Sequence, residues 1–201
     1  ASATLNSSQR KSFYDTVNSK YWVFYYTGTA IEYTYSADGS SWATPSILSY
    51  NTTDYSVAYK AISGTGYTVV ASKDGYNIAL NRGILAATSI SWTSTTAPFA
   101  DGTSSAPYTK PTVALGGDNY IWVGAIYTAP SLLQQANVIR STAVVTGTIA
   151  WPATDTPLGG HNTLSDIVLV PGSGTNMYLI SGRDSNNIVT FAYNGSLWSE
   201  V

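Results

Sequence analysis

Two aspartates, Asp54 and Asp166, open strand patterns in the second and fourth of four similar stretches of this chain. Two facing carboxylates are the minimum for glycoside hydrolysis, and their separation reports the stereochemical outcome. The other charged residues fall at corresponding places. Arg10-Lys11, Asp54-Tyr55, Lys110 and Asp166 start the inner strands, while Lys73-Asp74 and Arg183-Asp184 lie in the loops that follow second strands. Around a ring of four units the signs at the inner strands run basic, acidic, basic, acidic. Such a rim suits sugars, whose hydroxyls pair with charged groups and whose apolar faces stack on rings such as Tyr55 and Tyr108. The same pattern also arises where loop charges simply face water and alternate to avoid repulsion.

Other chemistries find little support. His161 is the only histidine and there is no cysteine, so a transition-metal site lacks its usual ligands. No phosphate-cradling glycine loop, nucleophile elbow or paired redox motif is present, and no cofactor is expected. Charged residues make up 10% of the chain, against roughly 25% in an ordinary domain. With a net charge of −2 and no basic stripe, nucleic acid is not an expected partner. No apolar run reaches the ~18 residues of a membrane-spanning helix. Hydroxyls must then supply solubility, and 16 tyrosines add to the many Ser and Thr. Most tyrosines, such as Tyr25, Tyr33, Tyr35 and Tyr59, fall inside strand patterns, where packing explains them. Asn6-Ser7-Ser8, Asn51-Thr52-Thr53 and Asn194-Gly195-Ser196 match the N-glycosylation acceptor pattern. In a chain so rich in Ser and Thr such matches arise by chance; it is the low charge with many hydroxyls that points to an extracellular or cell-surface setting, while Ala1-Ser2-Ala3-Thr4 reads as a mature or excised start.

The elements that must position these residues repeat. Trp42, Trp92, Trp151 and Trp198 recur at intervals of roughly 50 residues, and each follows an aromatic or aliphatic strand pattern, a period that signals a β-propeller. The first stretch shows the plan: strands over 11–17, 21–26, 31–36 and 43–49, with Asn18-Ser19 and Asp38-Gly39 as tight turns. Blades are expected over about 10–50, 54–100, 108–158 and 163–201. The second strands, above all Tyr21-Trp22-Val23-Phe24-Tyr25-Tyr26, are apolar nearly throughout. Strands covered on both faces read this way, as in stacked blades. An immunoglobulin-like sandwich is the main rival, and it predicts cleaner alternation. Residues 131–136 read as a long loop. The fold expected is therefore all-β, a propeller of about four four-stranded antiparallel blades forming one domain over 1–201.

Closure is the open question. The fourth repeat has no visible outer strand after Trp198, while residues 1–6 form an orphan strand. The orphan can complete blade four, complete a blade of another chain, or belong to a preceding blade of a longer propeller. An exposed blade edge is a pairing hazard, so pairing between copies of the chain is one expected partner mode.

Ser36-Ala37-Asp38-Gly39-Ser40-Ser41-Trp42 resembles an Asp-box, the repeat motif of sialidase-like propellers, one residue shorter than the usual pattern. Asn194-Gly195-Ser196-Leu197-Trp198 is a weaker copy. The resemblance implies that Ser36, Asp38, Gly39 and Trp42 build a structural hairpin on the face away from a site, with Trp42 packing the turn onto its blade. A packed Trp42 predicts a cost of roughly 3–5 kcal/mol for Trp42→Ala. Sialidases also use an arginine triad, a Tyr–Glu nucleophile and an Asp acid. This chain has Arg10, Arg82, Arg140 and Arg183, with Glu32 on a third strand and Glu200 at the end, and no Tyr–Glu couple falls at the channel mouth. The expectation is a non-catalytic module that binds a glycan or a surface protein through the channel mouth. A structural subunit with strand exchange, and a hydrolase using Asp54 and Asp166, are the alternatives.

Overall fold

The computed structural model describes residues 9–48, 51–131, 133–161, 163–183 and 187–201. They form four antiparallel four-stranded sheets, each a sequential meander, with no helix among the described residues. Blade one comprises β1 (Ser12–Asp15), β2 (Lys20–Tyr26), β3 (Ile31–Ser36) and β4 (Ser46–Ile47). Blade two comprises β5 (Tyr55–Ile62), β6 (Thr65–Asp74), β7 (Asn77–Leu85) and β8 (Ile90–Phe99). Blade three comprises β9 (Tyr108–Leu115), β10 (Tyr120–Thr128), β11 (Gln134–Val144) and β12 (Thr156–His161). Blade four comprises β13 (Leu164–Pro171), β14 (Met177–Arg183), β15 (Asn187–Tyr193) and β16 (Trp198–Glu200). The chain is thus a β-propeller of four blades.

Turn chemistry sets the meanders. Between β5 and β6, Ser63 (φ 49°) and Gly64 (φ 77°) are both left-handed, which matches the twist of the flanking strands. In blade one, Asp15 replaces glycine as the organiser. Its buried carboxylate accepts hydrogen bonds from the Val17 amide (2.9 Å), the Asn18 side chain (2.7 Å) and the Tyr59 hydroxyl of blade two (2.8 Å). One side chain therefore closes a turn and ties two blades together.

Three buried clusters hold the blades face to face. One joins blades one and two around Trp22, Phe24 and Tyr55; one joins two and three around Val69, Ile78 and Val123; one joins three and four around Trp122, Ile167 and Leu179. Among the described residues no such cluster joins blade four to blade one. This corrects the expectation of double coverage for every second strand. β6 and β10 are buried almost throughout their centres, whereas β2 and β14 alternate. Trp22 and Phe24 are fully buried, while Tyr21 between two strand turns is 44% exposed.

The tryptophans share a role that their spacing did not reveal. Trp92 of blade two donates its indole N–H to Tyr33 of blade one (3.2 Å). Trp151 of blade three donates to Thr96 of blade two (3.0 Å). Trp198 of blade four meets Trp122 of blade three edge-on, with centroids 5.8 Å apart. Each reaches back to the preceding blade. Among the described residues Trp42 has no blade packed behind it, and it is 43% exposed, so the cost expected for its removal falls away.

Three further expectations change. Blade four does have an outer strand, since β16 pairs with β15 from Tyr193↔Trp198 to Phe191↔Glu200. Gln134–Ala136 belong to β11 rather than to a loop, paired on both sides with β10 and β12. The outer strand of blade one is two residues long, and before it Trp42 and Ala43 touch β3 only through an isolated bridge to Ser36 and the Ala43–Tyr35 and Thr34–Ala43 hydrogen bonds. The orphan strand 1–6 lies outside the described residues.

Candidate functional site

The inner-strand starts do converge. The Arg10 carbonyl accepts from the Val57 amide (2.9 Å), which docks blade one on blade two. Gln9, buried and uncharged, donates its side-chain amide to Asp54 (2.6 Å) and to the Pro111 carbonyl (3.0 Å), spanning three blades. Asp54 also accepts the Lys110 amide (2.7 Å), and Lys110 holds a left-handed backbone (φ 50°). That geometry is strained for a residue with a Cβ, and it falls at a bulge where β9 slips against β10. The carboxylate thus holds a strained turn in place.

Cations complete the network. Lys11 donates to Gln9 (3.0 Å) and to the Tyr55 carbonyl, and its ammonium lies 3.3 Å from the centroid of the Tyr55 ring. Burial lowers the Lys11 pKa to about 7, against the opposing pull of Asp54. Burial likewise pushes the Tyr55 phenol well above its ordinary value. Lys110 donates to the Ser165 carbonyl and pairs with Asp166 at 3.5 Å. Exposed Arg10 reaches the Leu169 carbonyl of blade four at 3.5 Å.

Arg10, Lys11, Asp54, Tyr55, Lys110 and Asp166 are therefore brought together, though chiefly to bind one another. Lys73 and Asp74 are not part of this network. Lys73 meets it only through its backbone amide, which donates to the Asp54 carbonyl (2.9 Å), and exposed Asp74 ends β6. Arg183 pairs with Glu200 of the outer strand at 4.0 Å. Asp184 lies outside the described residues. The sequence reading missed Gln9, because an amide carries no charge to attract notice.

The hairpin after β3 has the local order its residues imply. Asp38 accepts the Ser40 and Ser41 amides (2.8 Å each) and the Ser36 hydroxyl (3.0 Å), while the Gly39 amide donates to Ser36 (2.8 Å) at φ 76°. The Ser41 and Ser40 amides hold the Asp38 carboxyl far below the usual carboxylate range. Asn194 repeats the device, accepting the Ser196 and Leu197 amides at 3.0 Å.

Clefts open along the seams between blades, each walled by the outer strands of one blade and a loop or turn of the next. The seam between blades one and two holds about 250 Å³ beside Trp22, Tyr35 and Thr88. Between two and three, about 400 Å³ lies beside Arg82, Thr93 and Gly147. A second cleft along that seam, of about 380 Å³, carries Asp101, Trp151 and Asp155. Both of its carboxylates meet the single Tyr108 hydroxyl, at 3.1 and 3.4 Å. Burial, then these two charges, push the Tyr108 phenol far up. Between three and four, about 370 Å³ is lined by Trp122, Arg140, Thr154, Thr156, Tyr193 and Trp198, among others. Among the described residues no group of three or more His, Cys, Asp or Glu could hold a metal ion, and no helix is long and apolar enough to cross a membrane.

Mouth, seams and meandering blades define the class of protein as a β-propeller. No family model and no curated protein matches the sequence. Solved structures do match its fold. The chain is similar to a Trypanosoma rangeli sialidase bound to 2,3-difluorosialic acid, at TM-score 0.62 and 13% identity, covering 96% of this chain and 37% of that one. It is similar to the Hadza microbial sialidase Hz136 at TM-score 0.60 and 11% identity, covering 96% and 46%. The six-bladed fucose-recognising lectin of Aleuria aurantia matches at TM-score 0.54 and 11% identity, covering 94% and 59%. The chain thus spans less than two thirds of each of these proteins, and at such identities the likeness is one of fold.

Proposed function

We propose that this chain is a non-catalytic, glycan-binding propeller that works outside the cell. The observation that carries the non-catalytic reading is the state of Asp54. Hydrolysis needs one carboxyl group to protonate the leaving oxygen and a second to attack or to activate water. Both Asp54 oxygens already accept protein donors, at 2.6 and 2.7 Å, and those donors brace a strained turn. Asp166 is engaged by Lys110. The glycan reading draws support from the sugar-directed names of the similar structures, both sialidases and the fucose-recognising lectin, and from seam clefts with aromatic and hydroxyl walls. The sparse charge and hydroxyl-rich composition support the extracellular setting, and the Asp38 hairpin supports reading it as an Asp-box.

A glycan array together with chromogenic glycosides tests the proposal. Binding without turnover is expected. Turnover that disappears in Asp54→Asn or Asp166→Asn would make the protein a hydrolase, and an array without hits would remove the lectin reading. A second reading, self-association, is favoured by the outward faces of the end blades, where Tyr14 and Tyr21 are each 44% exposed and Ile188 is 78% exposed. Sedimentation that stays monomeric at high concentration would exclude it.

A further inference from the structure

The seams between blades are built alike, so their differences are informative. In the first, the Tyr33 hydroxyl is already taken by the Trp92 indole, and no charged side chain lines the cleft. In the second, Arg82 is spent on the protein. It donates to Thr93 (3.0 Å) and to the Val145 and Gly147 carbonyls (2.8 and 2.5 Å), stitching blade two to the loop of blade three. The third seam also carries an arginine, and Arg140 behaves differently.

Arg140 stands directly opposite Trp122 in the β10–β11 register. Its guanidinium lies 4.0 Å from the Tyr120 ring centroid and 5.6 Å from that of Trp122. Asp118 pairs with it at 3.9 Å, too long for a hydrogen bond. Among the described residues no protein acceptor takes any of its N–H groups. A partly buried guanidinium ordinarily finds acceptors for its five donors, and here stacking and one distant carboxylate hold it in place with those donors unspent. Beside it the Thr154 and Thr156 hydroxyls, both exposed, likewise bond to no protein group among the described residues. Opposite stands an aromatic wall, Trp198 and Tyr193, with centroids 5.5 Å apart. Among the described residues Arg140 is the only charged one lining this cleft.

We infer that the cleft between blades three and four binds a terminal pyranose, its apolar face on Trp198 and two neighbouring oxygens on the Arg140 guanidinium. The inference rests on the glycan-binding reading above and moves its site from the mouth to this seam. The planar fork of an arginine suits paired oxygens, whether two vicinal hydroxyls or a sugar carboxylate. A half-buried indole offers a face for the ring C–H groups. A volume of about 370 Å³ lies at the small end of the range for small-molecule sites, ~300–1,000 Å³, which fits one or two rings rather than a long chain.

The test is calorimetric titration of methyl glycopyranosides, neutral and uronic, into the wild type and three variants whose fold is checked by circular dichroism. Arg140→Gln is expected to weaken binding at least tenfold, and Thr154→Val, on an exposed loop, about threefold. Arg10→Gln at the mouth is expected to change binding by less than twofold. Preference for the uronic series assigns the fork to a carboxylate, and preference for a neutral sugar assigns it to vicinal hydroxyls; either result upholds the cleft. Wild-type binding that survives Arg140→Gln and Thr154→Val overturns the cleft while the glycan reading stands, and loss of binding in Arg10→Gln alone returns the site to the mouth. No wild-type binding to the panel or to a glycan array refutes both readings.

Discussion

Replacing Trp92 and Trp42 by alanine, one at a time, measures what the seams contribute. Removing a buried tryptophan costs about 3–5 kcal/mol. Trp92 is half-buried, which lowers that figure. Its loss also removes the indole hydrogen bond to buried Tyr33, worth about 1 kcal/mol, and edge-on contacts with Phe24 and Tyr33 at 6.3 and 5.7 Å. The net expectation is about 3 kcal/mol for Trp92→Ala. For exposed Trp42 the expectation is below about 1 kcal/mol, as for surface substitutions in general. In a domain of this size, 3 kcal/mol moves Tm by about 6–12 °C. Urea unfolding followed by near-ultraviolet and far-ultraviolet circular dichroism gives both free energies and shows whether the two probes coincide. Equal costs for the two substitutions would refute the reasoning, since that would require Trp42 to be packed as Trp92 is.

Other perturbations probe other links. Lys11 has a folded pKa of about 7, below the ~10.4 of an unfolded lysine. Between those values the unfolded chain binds the extra proton, so stability should rise with pH from about 7 to about 10.4 and Lys11→Met should flatten that rise. A pH series of urea midpoints checks this, and an unchanged slope would show that Lys11 titrates normally. Asp15→Ala removes an acceptor from the Tyr59 hydroxyl, which keeps Thr16, and from the Val17 and Asn18 amides, and should cost about 1–2 kcal/mol, read from the same denaturation curves. Gly117→Ala places a Cβ 2.4 Å from the Gly174 carbonyl oxygen, and should cost about 1–3 kcal/mol by forcing the turns of blades three and four apart. A fully stable Gly117→Ala protein would mean that those turns are not in contact.

Legibility followed physical range. Strand order and turns were readable because they depend on neighbours in sequence: Asp38-Gly39, Ser63-Gly64 and the alternating runs each act over a few residues. What was missed depends on partners far along the chain. The apolar run from Tyr21 to Tyr26 suggested two covered faces, yet coverage is decided by which blade stands next to it, and only the alternate residues Trp22, Phe24 and Tyr26 pack into the cluster shared with blade two. β16 escaped notice because three residues carry no period. Gln9 escaped because the groups its amide donates to, Asp54 and the Pro111 carbonyl, lie in other blades. At the seam, Arg140 counted only as one arginine of four. Aligning the repeats on their second and third strands would have set it opposite Trp122 and singled it out.

The backward reach of the tryptophans gives the array a direction. Blades two, three and four each place an indole on the blade before, so a blade has one surface that inserts and another that receives. Among the described residues, Trp42 of blade one meets no receiving blade and no indole inserts into blade four. A twofold rotation pairs an end face only with its own copy, so it cannot bring these two unlike faces together. A blade that set its inserting surface on a receiving one would join head to tail, and repeated docking of that kind either closes a ring or runs on as a filament.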